Sequence, residues 1–312
     1  MENHIIDTVS LVATKKDLEN RLRSLLWGSV EIREVKEGKY IYLHQRTGGI
    51  HRTVYVGEFD DDLLNRLLKN NDEAKQLKKQ LRAVDIALKK NGYVAGELND
   101  KIQRNIDFAK RNLVETIYRQ AVLEGVAVTF LDTETIIEGG KINNVSADDV
   151  QKINNLKHAW QLILDEGVIT AKSDFSLLCL INRLVEEGFY YNAGQLRNVP
   201  VSIGETKWKP ELPIESQIKE QLSQIVDSDQ NIFTKAIRAL LFVTKKQIFI
   251  DGNKRTSVIF ANHMLISQGA GLIAVPEEKT TEYKKLLIHY YETDNAEEIT
   301  RFLEEICLTK LS

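Results

Sequence analysis

Residues 247–256 read Gln-Ile-Phe-Ile-Asp-Gly-Asn-Lys-Arg-Thr, placing a carboxylate, a Gly-Asn pair and two cations directly before an apolar helical pattern. Asp251 offers a hard oxygen of the kind Mg²⁺ accepts when the ion is also held by a nucleotide's phosphates. Gly252 has no Cβ, so the backbone can turn tightly and approach phosphate oxygens. Asn253 through Thr256 open the next helix, whose free N–H groups and dipole favour an anion. Lys254 and Arg255 add cations at the same place, and arginine can pair bidentately with phosphate. Phe249, between Ile248 and Ile250, anchors the loop by burying an aromatic ring. The chemistry is that of a phosphate site. The same ten residues also read as an Asp-Gly turn before an N-capped helix with surface cations, and on them alone both readings stand.

The elements that must position this loop are mostly helical. Apolar positions at helical spacing predict a helix over 8–27 (Val9, Val12, Leu18, Leu22). Glu31–Gln45 and Ile50–Val56 then alternate and flank Thr47-Gly48-Gly49, which predicts a β-hairpin. A charged helix with Leu63, Leu67, Leu77, Leu81 and Leu88 follows, stopped by Asn91-Gly92. Residues 1–95 are expected to form an accessory module, whose basic residues interleave with acids as on a solvated face. Residues 96–312 read as a second, almost continuously helical region. Its helices are expected over 97–124, 147–166 (N-capped by Ser146), 174–187, 214–226, 230–247, 253–268, 278–291 and 295–308. Gly194, Pro200, Gly204, Pro210 and Pro213 break the rhythm over 189–213, where the alternation of Val199, Val201 and Ile203 predicts a small hairpin flap.

Composition bounds the function. The chain has 312 residues, 43% hydrophobic and 28% charged, enough for one large or two modest domains. A net charge of −3 makes a dedicated nucleic-acid binder unlike this chain, since such domains carry a basic excess. Cys179 and Cys307 give neither a metal-ligand spacing nor a disulfide framework, and a reducing compartment is expected. Met1-Glu2-Asn3-His4 lacks the opening of a signal peptide, and no apolar run approaches the roughly 18–20 residues of a membrane span. A cytoplasmic protein without membrane contact is the expectation.

The decapeptide resembles the active-site motif of the Fic family, H-x-F-x-[DE]-G-N-G-R-x-x-R. Ala193-Gly194-Gln195-Leu196-Arg197 and the following Val199–Lys209 resemble the family's G-x-x-R segment and the flap that docks a target side chain. The Phe233–Thr244 helix and the Tyr283, Leu287, Tyr290, Tyr291 pattern resemble its flanking helices, so the likeness spans about 130–308. It implies a mainly α fold, a Fic-type helical domain with a β-hairpin flap, preceded here by a small α+β module. It also implies Mg²⁺ with ATP as cofactor and transfer of AMP to a hydroxyl of a protein substrate. By matching position, Asp251 is the metal ligand, and Gly252, Asn253, Lys254 and Arg255 cradle phosphate. Val199, Val201 and Ile203 lie on the target-docking flap.

Two departures alter the chemistry the family implies. Gln247 stands where the family has its catalytic His; an amide can orient a hydroxyl or water but is no general base, a role commonly worth about 10²–10⁴-fold. Val258 replaces the motif's second Arg, and Lys254 replaces a Gly, as in Doc, the branch that transfers phosphate. Glu138-Gly139 resembles the family's inhibitory Glu-Gly motif, with Arg255 the only motif arginine left for Glu138 to pair with. His158, His263 and His289 read as packing or surface residues. The readings that remain are an AMP or phosphate transferase using Gln247 and Asp251, a catalytically silent nucleotide-binding regulator, and an interaction scaffold. The partners expected are a nucleotide and a protein substrate or regulator, with a homodimer left open.

Overall fold

The computed structural model describes residues 8–35, 38–47, 50–90, 98–142, 145–204 and 206–311. The chain divides into two compact units, Met1–Val94 and Ala95–Ser312.

The first unit runs α1 (Thr8–Ser24), β1 (Ser29–Val35), β2 (Gly38–Thr47), β3 (Ile50–Glu58) and α2 (Asp61–Lys90). Its strands form one antiparallel sheet in the order β1-β2-β3. The two-residue period of β2 sends Ile41 and Leu43 into a core with Leu67 of α2. Tyr40 and Tyr42, of opposite parity, meet Tyr55 of β3. The run 31–45, expected as one strand, is two: β1 pairs back onto β2 with Val35 opposite Gly38, the glycine that interrupts the alternation. The Gly48-Gly49 turn, the Asn91-Gly92 stop and Met1–His4 lie outside the described residues.

The second unit continues with α3 (Asp100–Arg111), α4 (Leu113–Leu123), α5 (Phe130–Ile137), α6 (Ala147–Ile163), α7 (Glu166–Ile169) and α8 (Phe175–Val185). It proceeds through α9 (Glu215–Val226), α10 (Ile232–Lys246), α11 (Asn253–Ile266), β4 (Gly271–Ile273), α12 (Thr280–Thr293), α13 (Glu297–Phe302) and β5 (Leu308–Lys310). Strands β4 and β5 pair antiparallel. Helix α11 is the centre: from Arg255 to Ile266 every residue is buried, including Phe260 and His263. A helix buried on every side lies inside a bundle, and α10, α8 and α6 surround it. The expected helix over 97–124 is broken in two. Asn112 caps the end of α3, its side-chain amide donating to Phe108 O at 2.8 Å, a local bond that competes with helix continuation. The fold is thus mainly helical, preceded by a small α+β unit. Among the described residues no helix is long and apolar enough to cross a membrane.

Residues 198–214 carry no strand ladder among the described residues, in contrast to the hairpin expected there. The physical reason lies in Arg197, which is 2% exposed. Its guanidinium donates to Val199 O at 3.0 Å and Glu211 O at 2.5 Å, with Pro210 O at 3.4 Å. Acceptors that a cross-strand ladder would use are taken by a side chain, and Pro200, Pro210 and Pro213 supply no N–H.

Candidate functional site

Helix α10 ends at Gln247, whose backbone is left-handed (φ 45°, ψ 61°). That conformation costs a non-glycine residue roughly 1–2 kcal/mol. Local bonds hold it. The Gln247 side-chain amide donates to Thr244 O at 2.6 Å, and its carbonyl oxygen accepts from Asn253 Nδ2 at 3.2 Å. Gln247 O accepts from Arg197 Nε at 2.5 Å, while Arg197 N–H donates to Ile248 O at 3.0 Å. Arg197 therefore ties the start of the loop to the irregular segment 199–211.

Asn253 closes the loop from the other side. Its Oδ1 accepts from Phe249 N at 2.9 Å, and its Nδ2 donates to Phe249 O at 2.9 Å. Phe249 is fully buried, the anchor its type suggested. Asn182 of α8 donates to Asp251 O at 3.0 Å and to Thr256 Oγ1 at 3.1 Å, and accepts from Gly194 N at 2.9 Å. Gly252 stands at the N-cap of α11 with φ 71°, and no side chain caps that helix. The side chain of Asn253, expected in a phosphate cradle, is instead committed to the shape of the loop.

The electrostatics differ more sharply from the expectation. Arg255 is 5% exposed, with Nη2 2.8 Å from Glu186 Oε1. Glu124 Oε2 lies 3.8 Å from its Nε, and Asp251 Oδ1 3.6 Å from its Nη2. Glu124 Oε1 is also 3.5 Å from Lys254 Nζ. Burial pushes the Glu186 carboxyl up to about 7, with Arg255 opposing and Asp251 and Glu124 adding to the rise. Glu138 stands exposed at the C-cap of α5, and among the described residues the carboxylates at Arg255 come from Glu124, Glu186 and Asp251. Glu124, followed by Gly125, caps α4 as Glu138, followed by Gly139, caps α5. The second Glu-Gly pair was the available signal for it. Glu186 had none.

A cleft of about 340 Å³ opens beside the loop. Gln247 and Lys254 line it, with Ser202, Ile203 and Gly204 from the irregular segment and Lys284, Leu287 and Tyr291 from α12. The cations on its wall are Lys254 and Lys284; Arg255 lies beneath. Lys284 was hidden in the sequence by the amphipathic rhythm of α12. Of the expected flap residues, Ile203 faces the cleft and Val199 is 44% exposed. Val201 is half-buried.

Asp251 fits a Mg²⁺ held chiefly by a ligand's phosphates: it is half-exposed, and among the described residues its side-chain contacts, to Gly252 N and toward Arg255, run through Oδ1. His263 is fully buried, its Nδ1 2.8 Å from Ser173 Oγ and its Nε2 2.9 Å from Val168 O. Burial pushes its pKa down to about 4, so it is a neutral core residue. His158 and His289 are exposed.

Comparison with known proteins bears on the fold that carries this loop. Residues 172–265 match the Fic/DOC family model. Similar solved structures include Fic-1 from C. elegans, with TM-score 0.53 and 18% identity over 78% of this chain and 80% of that one. A Fic-domain-containing signaling protein from Bacteroides thetaiotaomicron has TM-score 0.51 and 16% identity, over 62% of this chain and 76% of that one. A Fic family protein from Desulfovibrio desulfuricans has TM-score 0.50 and 14% identity, over 68% and 73%. No curated protein matches the chain. Residues 172–265 thus match the Fic/DOC family model, and the helical unit around them has the fold of the solved Fic structures.

Proposed function

We propose that the cleft beside Gln247 binds a nucleotide by its phosphate and that the chain acts as a transfer-silent, nucleotide-binding regulator. The observation that carries this reading is the pairing of Lys254, in the first turn of an uncapped helix, with Lys284 across the same cleft. A helix N-terminus with two cations suits an anion, and Leu287, Ile288 and Tyr291 offer apolar surface to a base or sugar. Asp251 would hold Mg²⁺, which when bound supplies charge neutralisation to the phosphates.

Silence follows from Gln247. Both ends of its amide are engaged, with Thr244 O and Asn253 Nδ2, and neither takes a proton near neutral pH. Arg255, the cation best suited to a transferring phosphate, is held by Glu186. The exposed Val199 leaves the segment next to the cleft open to a protein partner that would read the bound state.

Calorimetry with AMP, ADP and ATP tests the binding, and α- and γ-labelled ATP tests the silence. Binding is expected, weakened roughly tenfold or more by Lys284→Ala, since a hydrogen bond to a charged group contributes about 1.5–3 kcal/mol. No label is expected on any protein. Absence of binding, or affinity indifferent to Lys284, would overturn the site; label transferred by the wild-type chain would overturn the silence.

A further inference from the structure

Helix α2 divides by charge. After Asp72, its Lys75, Lys79, Arg82, Lys89 and Lys90 are all exposed and share an arc of about 100° at 3.6 residues per turn, opposite the buried Leu77 and Leu88. The acids beside them in sequence face elsewhere: Asp85 and Glu73 pair with Lys15 and Arg21 of α1, at 2.8 and 3.2 Å. Among the described residues none of the five cations has a carboxylate within ion-pair distance. Lys75 and Lys79, and Lys78 and Arg82, are like charges four residues apart, a repulsion that works against the helix. The net charge of the whole chain hides this stripe. Met1–Val94 holds 17 Lys and Arg against 14 Asp and Glu, while Ala95–Ser312 holds 25 against 31.

At its Lys75 end the stripe runs into a cleft of about 700 Å³ in the same unit, lined by Trp27, Ser29, His44, Leu68, Lys75 and Lys78. The turn that carries Trp27 is fixed by three side chains. Asn71 bonds Gly28 N and O at 2.8 and 3.0 Å, Asn70 Nδ2 donates to Leu26 O at 3.0 Å, and Gln45 Nε2 donates to Trp27 O at 2.7 Å. Lys78 Nζ stands 3.5 Å from the centroid of the indole ring, so an aromatic surface and a cation are held together at the head of the stripe.

We propose that this stripe and cleft bind single-stranded nucleic acid, the cations of α2 tracking its phosphates and the Trp27 cleft receiving an unstacked base. From Lys75 to Lys90 the stripe is about 22 Å long at 1.5 Å per residue, room for several successive phosphates. A row of cations ending at an aromatic ring is the arrangement that holds a single strand without sequence preference. A duplex keeps its bases stacked and would leave the cleft unfilled. A bilayer suits the stripe less, because Ile86 is the one large apolar side chain exposed between Lys75 and Lys90. The site lies wholly within the first unit and is independent of the cleft beside Gln247.

The experiment is fluorescence anisotropy of a labelled mixed-sequence single strand, about 20 nucleotides long, with the full chain between roughly 50 and 200 mM salt. With five phosphates contacted, log K is expected to fall with log[salt] at a slope of about −3.5. Lys75→Gln/Lys79→Gln/Arg82→Gln, at exposed positions, is expected to weaken binding at least tenfold at the lowest salt and to reduce the slope to about −1.5. Lys110→Gln/Arg111→Gln/Lys141→Gln, three exposed cations of the second unit, is expected to change affinity less than about threefold. With 4-thiothymidine in the strand, the crosslink is expected within residues 26–30 or 68–78. The matching duplex, phosphatidylserine vesicles and polyglutamate are each expected to bind more weakly than the single strand. No binding of the strand at the lowest salt, equal losses in the two triple variants, or a crosslink elsewhere would overturn the proposal. So would a duplex, vesicle or polyglutamate that binds as tightly as the strand.

Discussion

Arg197→Met is the substitution that most severely tests how the loop is held. The guanidinium donates to Gln247 O at 2.5 Å, Glu211 O at 2.5 Å and Val199 O at 3.0 Å, all from a side chain with 2% exposure. Methionine keeps much of the apolar stem and removes the donors. Three charge-assisted bonds at about 1.5 kcal/mol each come to roughly 4–5 kcal/mol, and the stranded carbonyls add desolvation. Against this stands relief of a buried cation that has no carboxylate partner among the described residues, whose cost shows as a pKa lowered by burial. The net expected loss is about 3–5 kcal/mol. For a unit the size of Ala95–Ser312 that lowers the thermal midpoint by roughly 6–20 °C. Differential scanning calorimetry at neutral pH reads it directly. Arg197→Lys, which cannot span several carbonyls, should recover only a minor part. A loss below about 1 kcal/mol in Arg197→Met would refute the view that this arginine replaces a strand ladder in ordering 199–211.

Other expectations follow from the same contacts. Gly252→Ala puts a Cβ against Glu186 Oε1 at a left-handed position, so stability should fall by about 2–4 kcal/mol, and Glu186→Ala in the same chain should restore part of it; additive losses in denaturant melts would contradict the clash. The Glu186 carboxyl, raised in the folded chain from 4.5 to about 7 by burial, binds its proton more tightly folded than unfolded. Its contribution is full below about pH 4.5 and is lost as pH rises through 7, so from pH 5 to 8 the wild type should lose on the order of 1–3 kcal/mol relative to Glu186→Gln. Parallel stability curves for the two would refute that shift. Gln247→His restores a titratable ring but leaves Arg255 with Glu186 and Val258 in place, so labelled ATP should still give no self-modification. Label appearing with that one change would show that the arginine's engagement is no barrier.

The fold was legible where periodicity is long. Helices α6, α8, α9, α10 and α11 follow from apolar spacing and caps such as Ser146, whose side chain accepts from Asp149 N. The interruption at Asn112 was not legible, because an asparagine within a helical pattern breaks the helix only when its side chain takes a local carbonyl. Residues 199–209 alternate as a strand would, yet a buried arginine captures Val199 O at the start of the run and Glu211 O just past its end, a contact that no local pattern encodes. The loop's composition revealed its anchor, Phe249, and its turn glycine, Gly252. It did not reveal that Asn253 serves the backbone, or that Arg255 points beneath the cleft toward Glu186. Glu124, Glu186 and Lys284 come from three other helices or their ends, and only the packing of α4, α8 and α12 brings them to the loop.

The most direct test of the nucleotide site is photo-crosslinking of the full chain with 8-azido-AMP, followed by peptide mapping. The adduct is expected on Leu287–Tyr291 or Ser202–Gly204, competed by unmodified AMP and lost in Lys254→Ala/Lys284→Ala. An adduct elsewhere, or one that survives both competition and the double substitution, would contradict the placement of a nucleotide beside Gln247.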